Sequence, residues 1–134
     1  MLRTVVLEHT LPDGSAHFDW MIEHPDLPHE RPLLTWRTAD RPDRADAFVA
    51  EAINPHRALY LCYEGPLSGG RGHVRRVASG RAEWIHRHDD SATVRIRWSD
   101  GAIHRYEGRR EGERWRFVAR PDSDSTPQRD CGTV

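Results

Sequence analysis

The residues with the most chemical potential stand near the N-terminus: His9, His17 and Asp19. In the run Ala16-His17-Phe18-Asp19-Trp20, strand alternation sends His17 and Asp19 to one face and Phe18 and Trp20 to the other. The expectation is a polar face backed by an apolar one. An imidazole and a carboxylate side by side on a strand suit one shared divalent cation. His9 ends the preceding apolar segment, and the connection Thr10–Ser15, with Pro12-Asp13-Gly14, returns the chain as a hairpin that brings His9 alongside. Three protein ligands leave coordination positions open for water or a substrate oxygen, which is what hydrolysis needs. A His-x-Asp pair on a strand is also the pattern of a surface ion pair, and spacing alone leaves both readings open. Glu23, further along the same strand, is expected to be solvated.

A second pair, His56 and Tyr60, flanks a strand-like run that leads into Tyr63-Glu64-Gly65. Both side chains can donate a proton or contact a phosphate. A tyrosine in a β-rich core more often simply buries its ring and keeps a wet hydroxyl.

The elements that must position these residues read as short strands. Alternating or apolar segments lie near Thr4–Glu8, Ala16–Glu23, Pro32–Arg37, Ala58–Glu64, His73–Ala78, Arg81–His86, Thr93–Trp98, Ile103–Glu107 and Trp115–Ala119. Asp13-Gly14, Ser68-Gly69-Gly70, Ser99-Asp100-Gly101 and Glu111-Gly112 supply turns between them. Arg44–Ala52, rich in alanine, predicts one short helix stopped by Asn54-Pro55. Many short strands with tight turns predict a mainly β fold, a small closed or nearly closed barrel of about eight strands, because closure removes exposed edges.

Composition sets the limits. A chain of 134 residues suits one domain, since domains commonly hold about 100–150 residues. With 37% apolar and 31% charged residues, the core must be assembled from short segments. Residues 1–120 are expected to form the domain and 121–134 a polar, disordered tail. No apolar run approaches the roughly 18 residues of a membrane span, and the N-terminus lacks the layout of a secretion signal, so a cytoplasmic protein with no membrane partner is expected. Cys62 and Cys131 form neither a disulfide framework nor a metal-binding spacing, and Cys62 is expected to be a small buried residue. The net charge of −1 argues against coating long DNA by bulk electrostatics. All 20 basic residues are arginine, a bias that base composition explains and that also suits phosphate recognition.

In order and spacing these residues resemble the 3′-phosphoesterase domain found at the N-terminus of bacterial DNA ligase D, which also occurs as short free-standing proteins. The resemblance rests on His9, on His17-Phe18-Asp19 with Ile22-Glu23, on Trp36, and on a second block of His56, Tyr60, Tyr63-Glu64-Gly65, Gly69-Gly70-Arg71-Gly72 and Trp84. The run Ile103–Arg120, with Gly112, Trp115 and Val118-Ala119-Arg120, looks like the family's final hairpin. Coverage runs from roughly residue 4 to residue 120.

The resemblance implies a small β-barrel enzyme. His9, His17 and Asp19 would hold manganese, or another divalent transition metal, and His56 and Tyr60 would act on the scissile phosphate. The substrate would be a nucleic-acid 3′ end in repair, either primer-template DNA or an RNA–DNA junction, from which a terminal ribonucleotide or 3′-phosphate is removed. End-joining polymerase and ligase proteins would be the partners. One departure matters: where the family usually has a phosphate-gripping arginine, this chain has Met21. Arg37 is the first candidate to replace it, with Arg41, Arg57 and Arg71 behind it. Two rivals stand beside this reading: a non-catalytic module that binds nucleic-acid ends and has lost activity with the missing arginine, and a barrel whose polar pocket takes an unrelated small anion such as a sugar phosphate.

Overall fold

Strand alternation decides the architecture almost everywhere. The computed structural model describes residues 1–123, with strands β1 (Leu2–Thr10), β2 (Ala16–Glu23), β3 (Leu33–Thr38), β4 (Ala47–His56), β5 (Gly65–Pro66), β6 (His73–Arg87), β7 (Ser91–Trp98), β8 (Ile103–Glu111) and β9 (Arg114–Pro121). All pairings are antiparallel, in the order β1-β2-β3-β4-β9-β8-β7-β6-β5, and a further β1–β6 pairing closes the ring. The result is a closed eight-stranded barrel with the two-residue β5 appended to the free edge of β6. The expected fold class holds. No helix among the described residues is long and apolar enough to cross a membrane.

Inward-facing side chains fill the barrel. Val6, Trp20, Ile22, Trp36, Phe48, Val94, Ile96, Tyr106 and Phe117 belong to one buried cluster, with Trp20 and Tyr106 centroids 4.8 Å apart and Trp36 and Phe117 4.9 Å apart. Such aromatic pairs contribute about 0.5–1.5 kcal/mol each beyond their buried area. The Trp20 indole N–H donates to Thr4 Oγ1 at 3.0 Å, and that hydroxyl donates to the Met21 carbonyl at 2.8 Å. This chain of bonds locks β2 against β1, and with it the register that places Asp19 and Met21.

Three local expectations change. The predicted helix over Arg44–Ala52 is the strand β4: Phe48 and Ala50 point inward and Val49 and Glu51 outward, a period of two. Alanine's helix propensity amounts to only tenths of a kcal/mol per residue, less than the pairing with β3 and β9 that closes the barrel. The strand predicted at Ala58–Glu64 is a 3-10 turn over Ala58–Leu61. Its one buried residue is Leu61, so Cys62, expected inside, is exposed. The two strands predicted at His73–Ala78 and Arg81–His86 are one, because Gly80 continues β6 instead of turning it. A Cβ there would lie 2.4 Å from the Arg97 carbonyl oxygen, so only glycine lets β6 and β7 approach this closely.

The described structure continues past the expected boundary at residue 120. Pro121 ends β9 opposite His104, and Asp122 and Ser123 engage Arg95. Residues 124–134, which include Cys131, lie outside the described residues.

Just after β2, His24 is buried beside Trp84, and its Nδ1 accepts the Asp26 backbone N–H at 3.1 Å. Burial is the main cause that pushes its pKa below the ordinary value of 6.5. The folded state therefore takes up this proton later than the unfolded chain as pH falls. Stability should be full above about pH 6.5 and decline below it until the folded His24 also titrates. Thermal unfolding between neutral pH and pH 5 checks this: His24→Gln should flatten the slope, and an unchanged slope would place the titration elsewhere.

Candidate metal centre and phosphate pocket

β1 and β2 pair with His9 directly opposite His17 and Leu7 opposite Asp19. The polar triad therefore lies on the outer face of the barrel, opposite the face that carries Val6 and Trp20 inward. That outer face is not uniformly polar, as alternation alone suggested. Next to the triad it carries Val5, Leu7 and Met21, which pack with Leu33, Leu61 and Val74 in a second buried cluster. The segment after β4 folds back over it, with Tyr60, Tyr63 and Leu67 against this layer. Burial of the site comes from this covering segment, part of which the sequence reads as a strand.

His9 Nδ1 and His17 Nε2 are 3.2 Å apart, and His17 Nε2 is 3.3 Å from Asp19 Oδ1. One ligand atom from each of the three residues falls within a 4.8 Å set. Asp19 is only 4% exposed, and its Oδ1 has no hydrogen-bond partner. A buried carboxylate oxygen without a donor is costly, by about 1–3 kcal/mol for an ordinary polar group and more for a charged one. His9 supplies the complementary feature. Its Nε2–H donates to the Arg71 carbonyl at 2.7 Å, which leaves the Nδ1 lone pair facing His17 and Asp19. Two imidazole nitrogens and an unsatisfied carboxylate oxygen converge on one point, the donor set that suits a divalent transition ion.

The Arg71 carbonyl is the contribution that residue-type reasoning missed, since a backbone atom leaves no trace in a motif. It is delivered by the loop Ser68–Gly72. Gly72 has φ +89°, and a Cβ there would sit 1.9 Å from the Thr10 carbonyl oxygen, so the loop can rest on the end of β1 only with glycine at this position. Gly72→Ala should destabilise the fold by about 1–3 kcal/mol and weaken metal binding roughly 10–100-fold by releasing His9. Unfolding curves and a manganese titration measure the two effects separately. Undiminished metal affinity would show that the carbonyl does not orient His9.

His56 and Tyr60 share a pocket with two of the triad, His9 and Asp19. With Leu7, His9, Asp19, Met21, Arg37, Leu67 and Arg71 they line one pocket of about 280 Å³. His56 ends β4 and Tyr60 lies in the 3-10 turn, their rings edge to face with centroids 5.5 Å apart. His56 Nδ1–H donates to the Asn54 carbonyl at 2.9 Å, so Nε2 is its remaining functional nitrogen. Burial, the largest cause, lowers the His56 pKa below 6.5 against the opposing pull of Asp19.

The arginine candidates separate. Arg37 Nε stands 3.6 Å from Asp19 Oδ1 and is itself buried without a hydrogen-bond partner. Arg71 lines the pocket, but its guanidinium is held by Ser68 through Nε at 2.8 Å and Nη2 at 3.1 Å. Arg57 lies 5.9 Å over the Tyr60 ring. Arg41 belongs elsewhere, bound bidentately to Asp43 and to the Val77 carbonyl. Met21 is 1% exposed and packed among aliphatic side chains. Glu23 is neither solvated nor near the triad; it pairs bidentately with Arg3 at 3.0 and 2.9 Å, which lowers its pKa.

Fold and site thus define a closed antiparallel β-barrel with an external His/His/Asp cluster at the mouth of a half-apolar pocket. Compared with known proteins, the chain matches no family model and no curated relative.

Proposed function

We propose that this protein is a manganese-dependent phosphoesterase that processes nucleic-acid 3′ ends. The observation that carries the reading is the convergence of His9 Nδ1, His17 Nε2 and the unpartnered Asp19 Oδ1 beside a pocket that His9 and Asp19 line together with His56, Tyr60 and Arg37. His9, His17 and Asp19 would hold the ion, which when bound would supply Lewis-acid neutralisation of phosphoryl oxygens. The chain's own groups do the rest. Arg37, with an unsatisfied Nε at the pocket wall, binds a phosphoryl oxygen through a charge-assisted hydrogen bond. His56, kept neutral near pH 7 by burial, takes a proton at Nε2 from the attacking water. Tyr60 O–H donates to the same phosphate. Leu67, half-buried against the cluster that contains Leu7 and Met21, gives the pocket an aliphatic wall for the sugar or base of the terminal nucleotide.

The test is release of phosphate from a 3′-phosphorylated primer-template with added manganese. Wild-type protein should release it, and His17→Ala should not. Equal rates in the two proteins would sink the reading.

A further inference from the structure

We propose that the outer face of β2, β3, β4 and β9 carries a second nucleoside subsite of the same centre, across Arg37 from the pocket of His56 and Tyr60. That the ligand is a nucleic-acid end rests on the end-processing reading above; the subsite rests on its own residues. The triad faces two pockets. His9 and Asp19 line the one of about 280 Å³, whereas His17 lines a separate one of about 520 Å³. Among the described residues, Arg37 alone lines both. Sheet register explains its place: Arg37 of β3 stands opposite Asp19 of β2 on one side and Glu51 of β4 on the other. A phosphate held by Arg37 therefore has a pocket on each side of it.

The larger pocket has the chemistry of a nucleoside site. Small apolar residues, Ala16, Ala39, Ala47 and Val49, line it, and all four are exposed. Charges of both signs surround them: Arg37, Arg114 and Arg116 with Asp40 and Glu51. Arg116 also faces Glu111 at 3.4 Å, an exposed pair of the kind that contributes little. Guanidiniums interspersed with carboxylates do not make a cup of converging cations for a compact anion. A flat apolar face edged by donors and acceptors is what a base and its sugar present. The volume of about 520 Å³ lies within the roughly 300–1,000 Å³ of small-ligand sites.

Two pockets around one guanidinium select what can fill both. A terminal phosphomonoester carries one organic group and occupies one pocket; a phosphodiester carries a nucleoside on each side and occupies the pair. The terminal nucleoside takes the half-apolar pocket beside His56 and Tyr60. The next nucleoside of the chain takes the larger pocket, over Val49 and its cross-strand partner Arg116. Arg37 and Arg116 stand two strands apart, about 10 Å at roughly 4.8 Å per spacing. The apolar patch thus lies between the guanidinium that holds the phosphate and one at the far rim.

The experiment is an NMR titration of isotope-labelled protein in chelator, where no metal-dependent turnover occurs. Its two probes are a thymidine dinucleotide without terminal phosphates and the methyl ester of thymidine 5′-phosphate. Both are singly charged diesters, and only the first has a second nucleoside. Wild type should bind the dinucleotide at least about tenfold tighter. The dinucleotide should also shift the amides of Ala47–Val49 and Arg114–Arg116, which the methyl ester should leave in place. Ala47→Trp, which fills the larger pocket, should bring the two affinities within about twofold of each other. Val49→Asp, a change at an exposed position, should do the same and keeps the test open if the tryptophan variant does not fold. The subsite is overturned if wild type binds both probes equally, or if a folded variant of either kind keeps the preference. A preference lost in Ala47→Trp, in a wild-type protein that releases no phosphate with manganese, would overturn the end-processing reading and leave the subsite standing; turnover without the preference would do the reverse.

Discussion

Replacing Asp19 with asparagine is expected to abolish manganese binding and turnover while raising, not lowering, the melting temperature of the metal-free protein. Asp19 is almost fully buried, and its Oδ1 accepts no hydrogen bond. Its carboxylate faces His17 Nε2 at 3.3 Å and the Arg37 Nε at 3.6 Å from Oδ1, and His9 Nδ1 at 3.8 Å from Oδ2. Without an ion this is a desolvated carboxylate with incomplete compensation, a group kept for binding at the expense of stability. Asparagine removes the charge, and its amide N–H can donate to an imidazole lone pair that the carboxylate can only face. Arg37 is 41% exposed at its side chain and is re-solvated when the pair is lost. Metal should stabilise the wild-type protein by about 2.7 kcal/mol at 100 times its dissociation constant, a rise of roughly 10 °C for a domain of this size. Asp19→Asn should show no such rise and should lose on the order of 10²–10³-fold or more in turnover. A manganese-dependent shift of wild-type size in Asp19→Asn would remove Asp19 from the metal site.

The sequence made the barrel legible because antiparallel strands announce themselves by period. Phe18 and Trp20 alternate with His17 and Asp19, and the turns at Gly14, Gly101 and Gly112 fall where expected. Local propensity misled wherever the sheet needed a strand regardless: Ala47–Ala52 is extended because β3 and β9 require a neighbour there. The triad was legible in part for the same reason of period, and the pairing of His9 with His17 follows from the hairpin. What the sequence did not reveal is everything set by the covering segment. The Arg71 carbonyl behind His9, the burial of Met21 under Leu61 and the exposure of Cys62 depend on how residues 57–72 fold back over β1 and β2. The periodic reading along that path, a strand at Ala58–Glu64, gives way to a 3-10 turn. The choice of Arg37 over Arg41 is likewise a matter of register: Arg37 is the cross-strand partner of Asp19, whereas Arg41 is committed to Asp43.

His56→Gln is expected to cut turnover by about 10²–10⁴-fold, the range of a lost general acid or base, with metal binding intact. The ring is fixed by its Nδ1–H bond to the Asn54 carbonyl and by the edge of Tyr60, so only Nε2 is left to exchange a proton in the pocket. Burial is the largest influence on its pKa and disfavours the imidazolium, leaving a neutral base near pH 7. As pH falls through the His56 pKa, which lies below 6.5, wild-type activity should fall because the base becomes protonated. Glutamine can keep a hydrogen bond but cannot accept that proton. The ratio of wild-type to His56→Gln rates should therefore be largest at neutral pH and shrink toward acid pH. The metal-induced rise in melting temperature separates this from damage to the triad: His56→Gln should keep it, whereas Asp19→Asn should not. Tyr60→Phe offers the contrast, because a lost hydrogen bond to phosphate removes about 1.5–3 kcal/mol, roughly 10–150-fold, at every pH. If His56→Gln behaved like Tyr60→Phe, a constant factor with no pH dependence, His56 would be a phosphate contact and the proton acceptor would have to be sought among the remaining pocket groups.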